Sequence, residues 1–159
     1  MAIGSSDEPN DPALMTIGYQ GTVLPSVVAT LQRAGVNHLV DVRAIPQSRK
    51  PGFSKTLLGG TLAASGIRYT HLRGLGTPKP GREAARRGDL DALSLIFAAH
   101  MTSDPAQIDL AHAVAIAASD RACLLCFEAD HRTCHRSIVA RLICERTGQG
   151  VEHLAAEQV

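Results

Sequence analysis

Ala122–Glu145 reads ACLLCFEADHRTCHRSIVARLICE. An apolar run ends in Cys126 and Glu128, a short polar turn follows, and Cys134, His135 and Arg136 open a run with helical spacing. The pattern predicts a strand, a loop and a helix, the unit from which α/β folds are assembled. Two thiols, a carboxylate, two imidazoles and two guanidiniums crowd the loop. A helix start carries free amide N–H groups and the positive end of the helix dipole, so it attracts anions and favours thiolates. Chemistry is expected here first.

Working outward, the same alternation covers most of the chain. Leu14–Gly18 reads as a strand, and Pro25–Ala34 as a helix with an early proline and Gly35 just beyond. Asn37–Arg43 reads as a buried strand, Ser54–Ser65 as a helix weakened by Gly59 and Gly60, and Ile67–Leu72 as a strand. Arg73–Gly88, rich in Gly, Pro and Arg, reads as a long connection and a mobile flap. Leu90–Met101 and Pro105–Ser119 read as helices, the second with Asp104 as N-cap, and Ala122–Phe127 as a strand. Cys134–Arg146 reads as a helix between Thr133 as N-cap and Gly148 as C-cap, with Val151–Leu154 as a last strand. The expected fold is α/β: a single three-layer domain over residues 13–159, with a mainly parallel sheet and helices on both faces. Residues 1–12, MAIGSSDEPNDP, read as a flexible polar tail without the basic and apolar regions of a secretion signal.

The chain has 159 residues, 45% of them hydrophobic and 19% charged, within the range of an ordinary soluble domain. Aromatics are 3% with no Trp, so Leu, Val, Ile and Ala must build the core. A net charge of +1 gives no overall pull toward nucleic acid or membrane. Leu110–Ala118, the most apolar later stretch, contains His112 and is too short for a bilayer. A cytoplasmic protein is expected, with its four cysteines as thiols or metal ligands rather than disulfides.

In a parallel sheet, ligands gather outside the carboxyl ends of the strands. Asp41 and Arg43 close one strand, His71 another, and Cys126 with Glu128 a third. Their convergence is the central expectation. Cys134, at the first helical turn and flanked by His135 and Arg136, is the better candidate for a reactive thiol, and Cys126 is weighed against a core role. Cys123 and Cys144 lie in apolar runs and read as packing residues. Arg43, Arg49 and Arg136 suit bidentate recognition of phosphate or carboxylate, with Asp41 and Glu128 to orient them or move protons. His71 and His135 titrate near neutrality. Tyr69 and Phe53 could stack on a ring, although core packing suits them better.

The pieces TIGYQG, LVDVR-x-x-P-x-S-R, GFSK-x-x-L, GI-x-Y-x-H-L-x-x-LG, LLC-x-E and CHRS occur in order between about Met15 and His153. Together they resemble the bacterial family catalogued as domain of unknown function 488. The resemblance brings Tyr19 and Ser48 into the candidate set. One departure is Asp130-His131-Arg132, where the family has a proline shortly after the Asp; it makes this turn more basic. A looser similarity links LVDVR and the Cys126-x5-Arg132 spacing to rhodanese-like and cysteine-phosphatase domains. It is set aside, because Phe127, Glu128 and Asp130 replace the small residues whose amides would face a phosphate.

The candidate catalytic residues are Cys126, Glu128, Cys134, His135 and His71. The candidate ligand-binding residues are Tyr19, Asp41, Arg43, Ser48, Arg49, Tyr69 and Arg136. The leading expectation is a pocket for a phosphorylated or nucleotide-like small ligand with a cysteine-dependent activity, and no cofactor is predicted. Two alternatives stay open. One is a nucleic-acid-binding module using the basic Arg73–Gly88 segment, against which the scarcity of aromatics weighs. The other is a zinc site. Cys123 and Cys126 would face opposite sides of a strand, and helical neighbours Cys134 and His135 would diverge by about 100°. Cys126, His131, Cys134 and His71 are the set that could still close around a metal.

Overall fold

A computed structural model of the protein describes residues 12–159. All but Pro12 of the expected tail lies outside them. The strands are β1 (Leu14–Gly18), β2 (His38–Asp41), β3 (Arg68–His71), β4 (Ala122–Cys126) and β5 (Val151–Leu154). The helices are α1 (Leu24–Arg33), α2 (Lys55–Ala64), α3 (Lys79–Arg86), α4 (Leu90–His100), α5 (Asp104–Ser119) and α6 (Arg136–Thr147). All five strands are parallel, in the order β3-β2-β4-β1-β5.

Alternation along the central strands divides the core in two. Met15, Ile17, Leu39, Cys123 and Leu125 pack with α1 and α2 on one face. Leu14, Val40, Leu124 and Cys126 pack with α4, α5 and α6 on the other. Cys123 and Cys126 therefore face opposite layers, as their spacing requires. This is a single α/β domain of three layers. Among the described residues no helix is long and apolar enough to cross a membrane.

The order of the strands builds the site. β4 lies between β2 and β1, with Gly18 opposite Cys126 and Asp41 opposite Leu125. The chain segments leaving β1, β2 and β4 thus emerge side by side at the carboxyl edge. The helices after β1 and β2 cover one face and those after β3 and β4 the other, which leaves a hollow between them. Gly18 is required there: a Cβ on it would lie 1.8 Å from the carbonyl oxygen of Glu128.

Three expectations need correction. Arg73–Gly88 is not an irregular flap. Arg73–Leu75 forms one 3₁₀ turn, and Lys79–Arg86 is α3, packed on α4 with Ala84 fully buried. Pro80 sits in the first turn of α3, where a missing N–H costs nothing. The N-cap of α5 is Ser103, one residue before Asp104; its Oγ accepts from the Ala106 amide at 3.4 Å. The helix expected from Cys134 begins only at Arg136. Asp130 caps a 3₁₀ turn over His131–Thr133 instead, and the Thr133 hydroxyl donates to the Asp130 carbonyl at 2.8 Å. At the other end, Gly148 closes α6 in the left-handed conformation at φ 78°, as expected.

Candidate active site

Asp41 and Arg43 are two residues apart on extended backbone, so their side chains leave the same face. Both are buried, at 0% and 5% exposure. Arg43 donates from Nε to Asp41 Oδ1 at 2.9 Å and from Nη2 to Oδ2 at 2.7 Å, a bidentate pair. Its Nη1 donates to the Tyr19 hydroxyl at 3.1 Å, and the Tyr69 hydroxyl donates to Asp41 Oδ2 at 2.5 Å. Burial alone would lower the Arg43 pKa, but the hydrogen bonds and charge of Asp41 hold it above its ordinary value. Burial, then the hydrogen bond to Asp41 and its charge, raise that of Tyr69. Tyr19 stacks on Phe53 at 4.3 Å and meets Phe127 edge-on at 5.4 Å. The result is a rigid wall that presents one fixed guanidinium.

Beside it, the end of β4 and the turn before α6 bring four groups together. Cys126 Sγ lies 3.4 Å from Glu128 Oε2 and 3.7 Å from His135 Nδ1. Cys134 Sγ lies 3.8 Å from the same nitrogen. His135 Nε2 is 2.8 Å from the carbonyl oxygen of Val42, which can only accept, so Nε2 carries a proton and Nδ1 faces the sulfurs. The Arg136 amide donates to Cys134 Sγ at 3.5 Å.

These contacts polarise the cluster. Burial would raise the Cys134 thiol, yet hydrogen bonds with Cys126 and His135 and the charges of His135 and Arg136 hold it well below its ordinary value. Hydrogen bonding to Cys134, then burial, push Cys126 well above its own. Burial would lower His135, but the hydrogen bond and charge of Cys134 raise it. Burial first, then the negative charge of Cys134, push Glu128 up to about 7. One lowered thiol, one raised thiol, a raised imidazole and a carboxyl at about 7 lie within a few ångströms of one another, close enough to exchange protons.

The cluster forms the floor of a cleft of about 570 Å³. Of the candidates, Tyr19, Arg43, Ser48, Arg49, Cys126, Glu128, Cys134 and His135 line it. Four do not. Asp41 and Tyr69 lie beneath Arg43 and set its orientation. His71 Nε2 bonds the Arg43 carbonyl oxygen at 2.7 Å and so holds backbone, away from the thiols. Arg136, 1% exposed, gives its guanidinium to Thr16 Oγ1 and to the carbonyls of Glu128 and Ala129. It braces the loop from below and presents nothing to a ligand in the cleft.

Two further lining residues come from the basic Arg73–Gly88 segment. Arg82 and Arg86 of α3 reach the cleft, and neither makes an ion pair among the described residues. Their i,i+4 spacing puts them on one helix face, a signal that becomes visible only once the segment is read as helical. Phe127, 43% exposed, also lines the cleft.

The expected metal set does not assemble. His71 is held by the Arg43 carbonyl, and His131 stacks on His153 at 3.5 Å. The objection to Cys134 and His135 sharing a metal also falls. Cys134 is extended (φ −128°, ψ 142°) rather than helical, so both side chains can turn to one point. Cys126, Cys134 and His135 each bring a ligand atom within 4.8 Å of the others, and these are the residues able to hold a metal.

No curated protein and no solved structure matches the chain. One family model matches, over residues 24–143, from α1 into α6 and across both halves of the cysteine–histidine cluster. The chain belongs to the family described as Domain of unknown function DUF488.

Proposed function

We propose that the cleft binds a phosphorylated or nucleotide-like small molecule and that the Cys126–Cys134–His135 cluster acts on it in a cysteine-dependent reaction. The observation that supports this most directly is the meeting of two unlike surfaces in one hollow. Its floor is the thiol–imidazole cluster with Glu128, and its rim carries Arg43, Arg49, Arg82 and Arg86. Arg49, Arg82 and Arg86, none of them in an ion pair among the described residues, outnumber the one lining carboxylate and favour an anion, with the Asp41-paired Arg43 as a further donor. A cleft with low-dielectric walls concentrates that field. Arg43 is held rigid by Asp41 and Tyr19, so it orients a bound oxygen at little entropic cost. Phe127 offers an exposed ring at the rim for a base or other planar group. The anion would sit over the floor, with Glu128 within reach to carry a proton.

The enzyme reading is favoured over a nucleic-acid-binding surface by the placement of the arginines. Arg82 and Arg86 line the same cleft as the thiol–imidazole cluster, within reach of a small ligand bound over it. Calorimetric titration with adenosine monophosphate and with inorganic phosphate tests the reading. Wild type is expected to bind, and the double variant Arg82→Ala/Arg86→Ala to bind about tenfold or more weakly, as the loss of charge-assisted hydrogen bonds requires. Absence of binding to either compound, or binding that the double variant leaves unchanged, would refute it. Tight, salt-dependent binding to oligonucleotides with none to mononucleotides would favour the other class.

A further inference from the structure

We propose that Cys126 Sγ, Cys134 Sγ and His135 Nδ1 form a three-ligand site for a zinc ion, with the fourth position open to the cleft beside Glu128. Zinc binds thiolate sulfur at about 2.3 Å and imidazole nitrogen at about 2.0–2.1 Å with tetrahedral angles. Those lengths put a sulfur and a nitrogen on one ion about 3.6 Å apart, and two sulfurs about 3.8 Å apart. The two sulfur–nitrogen separations here are 3.7 and 3.8 Å. All three ligand atoms lie within 4.8 Å of one another. The sulfur–nitrogen pairs are within a few tenths of an ångström of the required separation, and side-chain rotation of the two cysteines would bring the sulfurs to theirs.

Three further features fit a ligand set better than a set of core residues. First, the Val42 carbonyl fixes the proton on His135 Nε2, which leaves the Nδ1 lone pair aimed at the sulfurs. Metal-binding histidines are oriented this way, by an acceptor on the other ring nitrogen. Second, the Arg136 amide points at Cys134 Sγ, a contact that favours sulfur in its anionic form. Third, Cys126, Cys134 and His135 are all buried, at 6%, 3% and 6% exposure. Two thiolates pressed together there would repel each other strongly, whereas a dication between them would compensate both charges.

The ligand chemistry narrows the choice of ion to soft or borderline transition metals, of which zinc is the one without redox chemistry. Two soft sulfurs and one imidazole suit zinc and exclude magnesium and calcium, which take oxygen ligands. Three protein ligands with an open fourth position are the pattern of catalytic rather than structural zinc. The open position faces the same hollow as Arg43, and Glu128 stands at its edge, 3.4 Å from Cys126 Sγ. A zinc ion there would polarise an oxygen of the bound ligand or of a water, with Glu128 as proton acceptor. This last role rests on the reading of the cleft as the active site, with the cysteines then serving that reaction as zinc ligands rather than as free nucleophiles; the metal site itself does not rest on it.

The test uses the full chain, stripped with a chelator under reductant and titrated with zinc against a chromophoric competitor. One equivalent is expected to bind. Cobalt(II) in its place should give the visible bands of a tetrahedral ion and sulfur-to-cobalt absorption in the near ultraviolet. Cys126→Ser and Cys134→Ser should each weaken zinc at least about 100-fold, beyond the loss that an outer-shell change causes, while Cys144→Ser leaves it unchanged. A measurement on wild type covers the case in which a serine variant fails to fold. Zinc should slow alkylation of Cys126 and Cys134 about tenfold or more, mapped by mass spectrometry, and leave Cys144 unaffected. No stoichiometric uptake, no cobalt bands, no protection, or zinc binding unaltered in both serine variants would each overturn the proposal. Phosphate binding by the stripped protein is read separately. Arg82→Ala/Arg86→Ala should lose phosphate and keep zinc, so the anion reading and the metal reading can fail independently.

Discussion

Two buried histidines mark the two ends of the sheet, and they are used in opposite ways. His38 opens β2 at the amino edge and His135 lies at the carboxyl edge, each 6% exposed. His38 spends both ring nitrogens on fixed partners, Nδ1 with Asp120 at 2.8 Å and Nε2 with Thr70 at 2.7 Å. His135 spends Nε2 on Val42 and turns Nδ1 to two sulfurs that can change charge or take a metal. The first arrangement is closed, since every donor has its acceptor and nothing remains to bind. The second leaves a nitrogen, two thiols and a carboxylate facing a hollow. The contrast teaches that burial and hydrogen bonding alone do not separate a structural histidine from a chemical one. The titratability of its second partner does.

The comparison can be strained at either end. The largest expected effect is at the carboxyl edge. Arg136→Ala removes donors to Thr16 and to the Glu128 and Ala129 carbonyls in a fully buried place. It should cost on the order of 3 kcal/mol in urea unfolding and loosen the loop that carries Glu128. A loss under about 0.5 kcal/mol, the range of ordinary surface changes, would show that the loop does not rest on this brace. Next is Gly18→Ala, whose Cβ would press on the Glu128 carbonyl. It should lower stability by about 1–3 kcal/mol and weaken anion binding too, because the loop must move. Retained binding would detach the loop from the site.

At the amino edge, Asp120→Asn breaks the pairing with His38 and should cost about 1 kcal/mol at neutral pH without touching ligand or zinc binding. Its dependence on pH has a definite sign. Hydrogen bonding to His38 outweighs burial and, with the charge of Arg68, lowers the Asp120 pKa below its ordinary value. Stabilisation from a carboxyl lowered in the folded state is fully present above the unfolded value of about 3.9. It is lost as the pH falls through the folded value. The gap in stability between wild type and Asp120→Asn should therefore be widest near neutrality and close in acid. A gap that widens in acid would contradict the pairing. The smallest stability effect belongs to Arg86→Ala on the rim, within about 0.5 kcal/mol, although it should weaken phosphate binding. A large drop in melting temperature would mean that Arg86 holds the fold together.

The sheet was legible because its strands are short apolar runs closed by turn residues, and the helices between them because α1 carries a clear 3.6 period and the others are long non-strand stretches bounded by cap and turn residues. Strand ends then followed from topology, which is why Arg43, Cys126 and Glu128 could be placed in one hollow from sequence. What was lost has physical causes. α3 is eight residues long, strongly polar and contains Pro80 and Gly81, so its composition reads as loop although its polar and apolar residues separate onto opposite faces. The start of α6 was misplaced because Asp130 and Thr133 can cap a helix, and here they close a 3₁₀ turn instead. That shift matters, since it leaves Cys134 extended and lets it share a focus with His135. The direction of long side chains was not legible either. Arg136 and His71 stand at the expected chain positions, yet carbonyl oxygens from elsewhere in the fold take them up.

The most direct test of the site is a titration of the isotopically labelled protein with adenosine monophosphate, followed by amide chemical shifts. The account predicts saturable shifts confined to Arg43–Arg49, α3 and Cys126–His135, with His38 and Asp120 undisturbed. Shifts that are absent, or that gather at the amino edge of the sheet, would contradict it.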